Sequence, residues 1–174
     1  MADSLEAVLS VIRERKSVRS FKDGDKAIPK ETLDAIIKAA FAAPSAVNLQ
    51  PWHFIIIDKR DILNALGDGL PYVKMIYDTP AAIVVCADST ISELYWIVDC
   101  AAAAQNILLS VEAFGLGAVW TAVYPQKERI SFVKKLLNLP ENIIPLNVIP
   151  IGYPKGTNKA KDKYKAKKVH INGW

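Results

Sequence analysis

The sequence predicts an α+β domain, and three observations carry that reading. Helical and strand patterns alternate without a regular βαβ repeat. Four short strand-like runs are bounded by Pro, Gly or charged turns. One long segment, Ser92 to Phe114, is apolar nearly all round, with Ala101 to Ala104 in a row. A helix of that kind must be covered on every side, by the sheet and by another subunit. The 174 residues are expected to form one domain, 1–174, and 51% of them are apolar. That length holds a substantial core, and that richness raises the expectation of an oligomer burying a further apolar face.

Helix 1 is expected from Ser4 to Glu14, with Asp3 and Glu6 as an N-cap pair and Leu5, Val8, Leu9 and Ile12 on one face. Five residues follow that carry three cations and a hydroxyl, Arg15-Lys16-Ser17-Val18-Arg19, and Asp23-Gly24-Asp25 marks a turn. Pro29 opens helix 2, whose Leu33, Ile36, Ile37 and Ala40 form a buried stripe, and Pro44 ends it. Trp52 to Asp58 reads as a strand, Asp61 to Leu66 as a short helix stopped by Gly67, and Ala81 to Ala87 as a buried strand. The long helix ends at Gly115-Leu116-Gly117. Ala118 to Tyr124 is a third strand, Gln126 to Leu137 an amphipathic helix, and Asn147 to Tyr153 a fourth strand. Val169 to Ile171 fits a short final strand.

Several classes are set aside by pattern. No stretch of about 18 uninterrupted apolar residues speaks for a membrane span, and the N-terminus lacks the parts of a secretory signal, so a cytoplasmic protein is expected. Cys86 and Cys100 sit in apolar runs and read as buried free thiols. His53 and His170, without paired Cys/His spacing, offer no metal site. Residues 155–168 hold seven lysines against Asp162, while the whole chain carries a net charge of +4. A solvated tail or a nucleic-acid contact would each explain such a segment, but the lysines lack aromatic interleaving beyond Tyr164, so no nucleic-acid partner is expected.

Gly115-Leu116-Gly117 is not a dinucleotide fingerprint, because Trp120 stands at the third glycine position and the motif follows a helix. Arg15 to Arg19 can be a helix end decorated with cations that favour its dipole. In an extended segment, however, Arg15, Ser17 and Arg19 share one side, where arginine forks suit a phosphate and a carbonyl-rich ring edge. The loop Pro44-Ser45-Ala46-Val47-Asn48-Leu49-Gln50-Pro51-Trp52 is either an ordinary connection or a presenter of hydroxyl, amide and backbone groups to a planar polar ligand. Together the two segments point to a phosphorylated heterocycle.

Arg15 to Phe21, Ala43 to Phe54, Gly115 to Trp120, and Ile151-Gly152-Tyr153-Pro154 with its basic sequel through Lys168-Val169-His170 occur in an order that resembles the FMN-dependent nitroreductase family. The blocks span essentially the whole chain. The resemblance implies a three-layer α/β/α sandwich around a mixed, mainly antiparallel sheet, in an intertwined homodimer with two FMN sites at the interface. It further implies that Arg15 and Ser17 hold the FMN phosphate and ribityl chain with Lys16 nearby, and that Arg19 faces the N1/C2-carbonyl side of the ring. Pro44, Ser45, Ala46, Asn48 and Gln50 match the loop that the partner lays over the flavin. Trp120, Thr121, Ala122 and Val123 match the strand end beside the ring, where a backbone N–H reaches N5. Lys161 and Lys163 match late cations closing on the phosphate, which gives the basic segment 154–168 a role.

The implied activity is an NAD(P)H oxidoreductase with NADH or NADPH as donor, reducing nitroaromatics, quinones or related acceptors by ping-pong hydride transfer. Its chemistry is centred on the flavin, with Arg19 as an electrostatic stabiliser and no amino-acid nucleophile. The alternatives are an FMN-binding or storage protein and a flavin reductase of another acceptor class, such as enone reduction or dehalogenation. The chain departs from longer members in its length, which reduces the lid helices, and in carrying Ala122 and Val123 where some relatives place a carboxylate near N5. Lysines 161 and 163 also stand where arginine is common. His53, at the start of a strand read as buried, is expected to be structural rather than catalytic.

Overall fold

The structure, a computed structural model, describes residues 2–174, with side chains from Ser4 onward. Five helices are formed: α1 (Ala2–Glu14), α2 (Lys30–Phe41), α3 (Arg60–Gly69), α4 (Trp96–Ala113) and α5 (Lys127–Leu137). Six strands make one sheet: β1 (Phe21–Lys22), β2 (Trp52–Ile57), β3 (Ala81–Asp88), β4 (Gly117–Ala118), β5 (Thr121–Ala122) and β6 (Ile143–Pro154).

The long β6 is the spine. One edge pairs with β3, from Ala81 opposite Ile151 to Asp88 opposite Ile143, and β2 lies outside β3. The other edge takes β5 at Val148, β4 at Ile151 and β1 at Tyr153. All these pairings are antiparallel. The parallel element of the expected mixed sheet is an isolated bridge between Ser17 and Ala118.

β3 is buried on both faces, which explains why it reads as a continuous apolar run. Ile83 and Val85 face a core with α2 and α4, built on Ile36, Cys100, Ala104, Ile107 and Val111. Val84 and Cys86 face a second core with α3 and α5, built on Leu63, Leu66 and Val133. The result is the three-layer sandwich, with helices on both sides of the sheet.

Several boundaries differ from the sequence reading. α1 starts at Ala2, so Asp3 lies within the helix, and the capping expected of its side chain lies outside the described residues. Glu6 instead accepts a hydrogen bond from Arg13 at 3.1 Å. α3 continues past Gly67 to Gly69, because Gly67 serves packing: a Cβ there would lie 2.7 Å from the Tyr77 ring. α4 begins at Trp96, after a turn in which the Trp96 N–H donates to the Ser92 carbonyl at 2.8 Å. The third strand is two short pieces, β4 and β5, broken at Val119 and Trp120. Val169 to Ile171 forms no strand, being exposed and unpaired along the chain's own sheet. No helix among the described residues is long and apolar enough to cross a membrane.

The apolar face of α1 is not absorbed by these cores. Leu5, Val8 and Ile12 remain more than half exposed, and Val98 on α4 is exposed as well.

Candidate active site

The residues after α1 run alongside β4. The Val18 N–H donates to the Ala118 carbonyl at 2.9 Å, and Val18 is 1% exposed. Alternation in this extended stretch turns Ser17 and Arg19 outward. The close approach depends on Gly117, where a Cβ would lie 2.8 Å from Val18 Cγ1.

The basic segment returns to the same place. The Lys155 N–H donates to the Ser20 carbonyl at 2.9 Å, which fixes where that segment starts. Beyond it, Lys159, Lys161 and Lys163 join Arg15, Lys16, Ser17 and Arg19 around a cleft of about 200 Å³. Among the described residues no carboxylate lines this cleft. Lys16 is neutralised away from it, since its Nζ donates to Glu112 Oε1 at 2.6 Å and to the Glu14 carbonyl at 3.3 Å. A neighbouring hollow of about 430 Å³ shares Arg15, Lys161 and Lys163 but also contains Glu14 and Asp162. The carboxylate-free cleft therefore has the donor set that a phosphate requires: guanidinium, ammonium and hydroxyl groups without a competing anion.

β4 meets this cleft through the Ser17 bridge, and β5 follows β4 along the same edge of β6. Thr121 is buried, and its Oγ1 donates to the Val148 carbonyl at 2.6 Å. Val123 is fully buried and its N–H is committed to the Leu146 carbonyl at 3.0 Å. Trp120 is half-buried against the α4 core. Ala122 is the exposed residue of the four. Its carbonyl accepts a hydrogen bond from Arg129 Nη1 at 3.0 Å, and the Arg129 guanidinium lies over the ring of Tyr72.

The Pro44–Trp52 loop is a separate structure. A 3₁₀ turn spans Ala46–Asn48, and Val47, Asn48 and Gln50 have φ of 51°, 58° and 50°. For a β-branched residue such as Val47 the left-handed region is a genuine outlier. Strain of this kind persists only where surrounding bonds over-determine it, and those bonds are present. Ser45 Oγ accepts from the Gln50 N–H at 3.0 Å, Asn48 Oδ1 accepts from Gln50 Nε2 at 2.8 Å, and Asp99 Oδ1 accepts from the Ala46 N–H at 2.9 Å. Val47 is thereby held out at 91% exposure. Pro44, Ser45, Ala46, Asn48 and Gln50 do not line the cationic cleft of their own chain.

Sequence reasoning missed Lys159, Asp99, Tyr72 and Arg129. A signal for Asp99 existed, because it is a carboxylate in the first turn of α4, directly before the apolar run Cys100 to Ala104. His53 departs from its expected place: β2 is an edge strand, and His53 is exposed on it, beside an apolar groove of about 530 Å³ that shares no residue with the cleft. Cys86 and Cys100 belong to opposite cores, and burial pushes both thiols up to about 12, which removes them as nucleophiles.

Comparison with known proteins agrees with this architecture. The family model described as the nitroreductase family matches residues 12–74 and 68–153. A Parabacteroides distasonis protein of known structure, provisionally named NADH dehydrogenase/NAD(P)H nitroreductase, superposes with a TM-score of 0.92 at 49% identity, covering 96% of this chain and 98% of that one. A Methanothermobacter thermautotrophicus protein with the same provisional name is 41% identical over 169 residues, 96% of this chain and 87% of its own length. An FMN-dependent nitroreductase from Clostridium difficile superposes with a TM-score of 0.88 at 31% identity, covering 95% of this chain and 99% of that one. The chain belongs to the nitroreductase family.

Proposed function

We propose that this chain is an FMN-dependent NAD(P)H oxidoreductase that works as a homodimer and delivers hydride to a planar, polarised acceptor such as a nitroaromatic or a quinone. The observation that carries the reading is the cleft formed by Arg15, Ser17, Arg19 and the late lysines, free of carboxylates among the described residues and joined to the sheet edge where Ser17 bridges Ala118 of β4. Family membership and the FMN named for the Clostridium difficile relative support the same cofactor.

Bound FMN would supply the redox chemistry, hydride transfer between NADH or NADPH and the acceptor. In this reading Arg15, Ser17, Lys161 and Lys163 hold the phosphate. Arg19 lies along the pyrimidine edge of the ring, where a fixed cation stabilises negative charge as it develops. The exposed backbone at Ala122 borders the ring. The loop 44–50 of the second subunit covers it, its outward Val47 fitting a contact with another molecule. The uncovered apolar residues Leu5, Val8 and Ile12, with the groove of about 360 Å³ between α1 and α4, support a partner on that face.

The test is a visible spectrum of the purified protein, taken before and after NADH or NADPH is added without oxygen. Flavin bands that bleach with either nucleotide are the expected result, and the faster donor gives the preference. Bands that persist would replace this reading with flavin binding or storage. Absence of bands after FMN is supplied would overturn it.

A further inference from the structure

We propose that Arg129 is an oxyanion-binding residue at the open side of the active site, recognising a phosphate or carboxylate group of the molecule that reacts there. The inference rests on the reading of Trp120 to Ala122 as the strand beside the flavin.

Arg129 stands in the first turn of α5, where a cation opposes the helix dipole. Helix stability therefore does not account for it. Its position is nevertheless fixed from two sides. Nη1 donates to the Ala122 carbonyl at 3.0 Å, and the guanidinium carbon lies 5.3 Å from the centroid of the Tyr72 ring. Fixing an arginine costs side-chain entropy that a merely solvated cation would keep.

Two other partly buried cations, Lys16 and Arg60, are satisfied internally, whereas Arg129, like Arg15 in the cationic cleft, is not. Lys16 is paired with Glu112 at 2.6 Å. Arg60 spreads both terminal nitrogens over the carbonyls of Gly24, Ile76, Tyr77 and Thr79. Arg129 gives one hydrogen bond to a carbonyl and, among the described residues, forms no ion pair. The rest of its planar fork is left for an acceptor from outside, and bidentate oxyanion recognition is what such a fork does best. The adjoining Ala122 is small and uncharged, so it neither blocks nor repels an anion at this point.

Two sources supply that chemistry at a flavin site: the phosphates of the nicotinamide nucleotide, and an acidic group on the acceptor. The experiment uses the FMN-loaded full-length protein as wild type, Arg129→Ala, Arg129→Lys and Tyr72→Leu. NADH is compared with the neutral donor N-benzyl dihydronicotinamide, and para-nitrobenzoate with the neutral para-nitrobenzamide. The readout is the ratio of kcat/KM for the charged over the neutral member of each pair. Losing a charge-assisted hydrogen bond should lower that ratio roughly tenfold or more in Arg129→Ala. Arg129→Lys should lie between, and Tyr72→Leu should lower the ratio through loss of the ring that orients the fork. A fall in the donor pair assigns the nucleotide phosphate, and a fall in the acceptor pair assigns the carboxylate. Ratios that stay at the wild-type value in both pairs overturn the proposal and leave the flavin reading standing. A wild type that takes up no FMN overturns both, and its spectrum shows this before any variant is made.

Discussion

The backbone N–H of Ala46 donates to the carboxylate of Asp99 at 2.9 Å, and this bond ties the strained loop after α2 to the first turn of α4. Asp99 is 4% exposed, and its other oxygen accepts from Ser92 Oγ at 3.1 Å. The helix N-terminus favours the carboxylate there. Asp99→Ala leaves the Ala46 N–H and the Ser92 hydroxyl without their acceptor, so it should destabilise the fold by about 1–3 kcal/mol. Asp99→Asn keeps an acceptor for Ala46 and should recover most of that loss. Urea unfolding measures both. An unchanged midpoint for Asp99→Ala would remove this bond from the account of how the loop is held.

The cleft makes a prediction that separates phosphate binding from ring binding. Arg15→Ala and Lys163→Ala should each weaken FMN roughly tenfold, the worth of one charge-assisted hydrogen bond. Riboflavin, which lacks the phosphate, should bind either variant as it binds the wild type. The FMN affinity should also fall with salt, because Lys161 and Lys163 are exposed and their fields are screened. Fluorescence titration gives all three numbers. Equal weakening of FMN and riboflavin would show that the cleft does not hold the phosphate.

Gly117 and Gly115 lie close in sequence and should respond differently. A Cβ on Gly117 meets Val18, and such overpacking costs about 1–3 kcal/mol while pushing residues 17–19 off β4. Gly115 has φ of 69° and open space around it, so Gly115→Ala costs roughly 1 kcal/mol of backbone strain and nothing else. Gly117→Ala should therefore lose FMN affinity as well as stability, and Gly115→Ala only stability. Thermal melts beside FMN titration decide it. Equal FMN affinity in the two variants would mean that the Val18 contact does not position Ser17 and Arg19.

What the sequence disclosed and what it hid divide along the range of the contacts. α2 was legible because Pro29 and a helical stripe of Leu33, Ile36 and Ala40 are local signals, and the cationic residues were legible because charge and alternation are local too. β6 was read too short. It starts at Ile143, and Pro145 and Pro150 look like breakers, although Pro145 sits at the register shift opposite Cys86 and so displaces no regular ladder bond. Asp99 acts on Ala46 from 53 positions away, and Tyr72, in the turn after α3, meets Arg129 of α5, so neither contact leaves a local trace. The exposed apolar face of α1 was visible as a periodic stripe, but periodicity does not say whether the covering surface belongs to the same chain. His53 was misread for a related reason: an Ile-rich strand looks buried, and only the strand order reveals that β2 is an edge.

The two cysteines yield a pH prediction with a definite sign. Burial raises both thiols from the ordinary range to about 12, because the thiolate would lack solvation in either core. In the unfolded chain the thiols ionise near 8.5. Folding therefore binds protons in this range, so the cysteines' contribution to stability is complete below about pH 8.5 and is lost as the pH rises toward 12. Between those limits the unfolding midpoint in urea should fall, and Cys86→Ser with Cys100→Ala should flatten that part of the profile. The same protonation predicts inertness: native protein at pH 8 should resist iodoacetamide, and protein in urea should take up two alkyl groups, one for each free cysteine. Rapid labelling of either thiol in the folded protein, read by intact mass, would show that its core opens to solvent more readily than its packing implies.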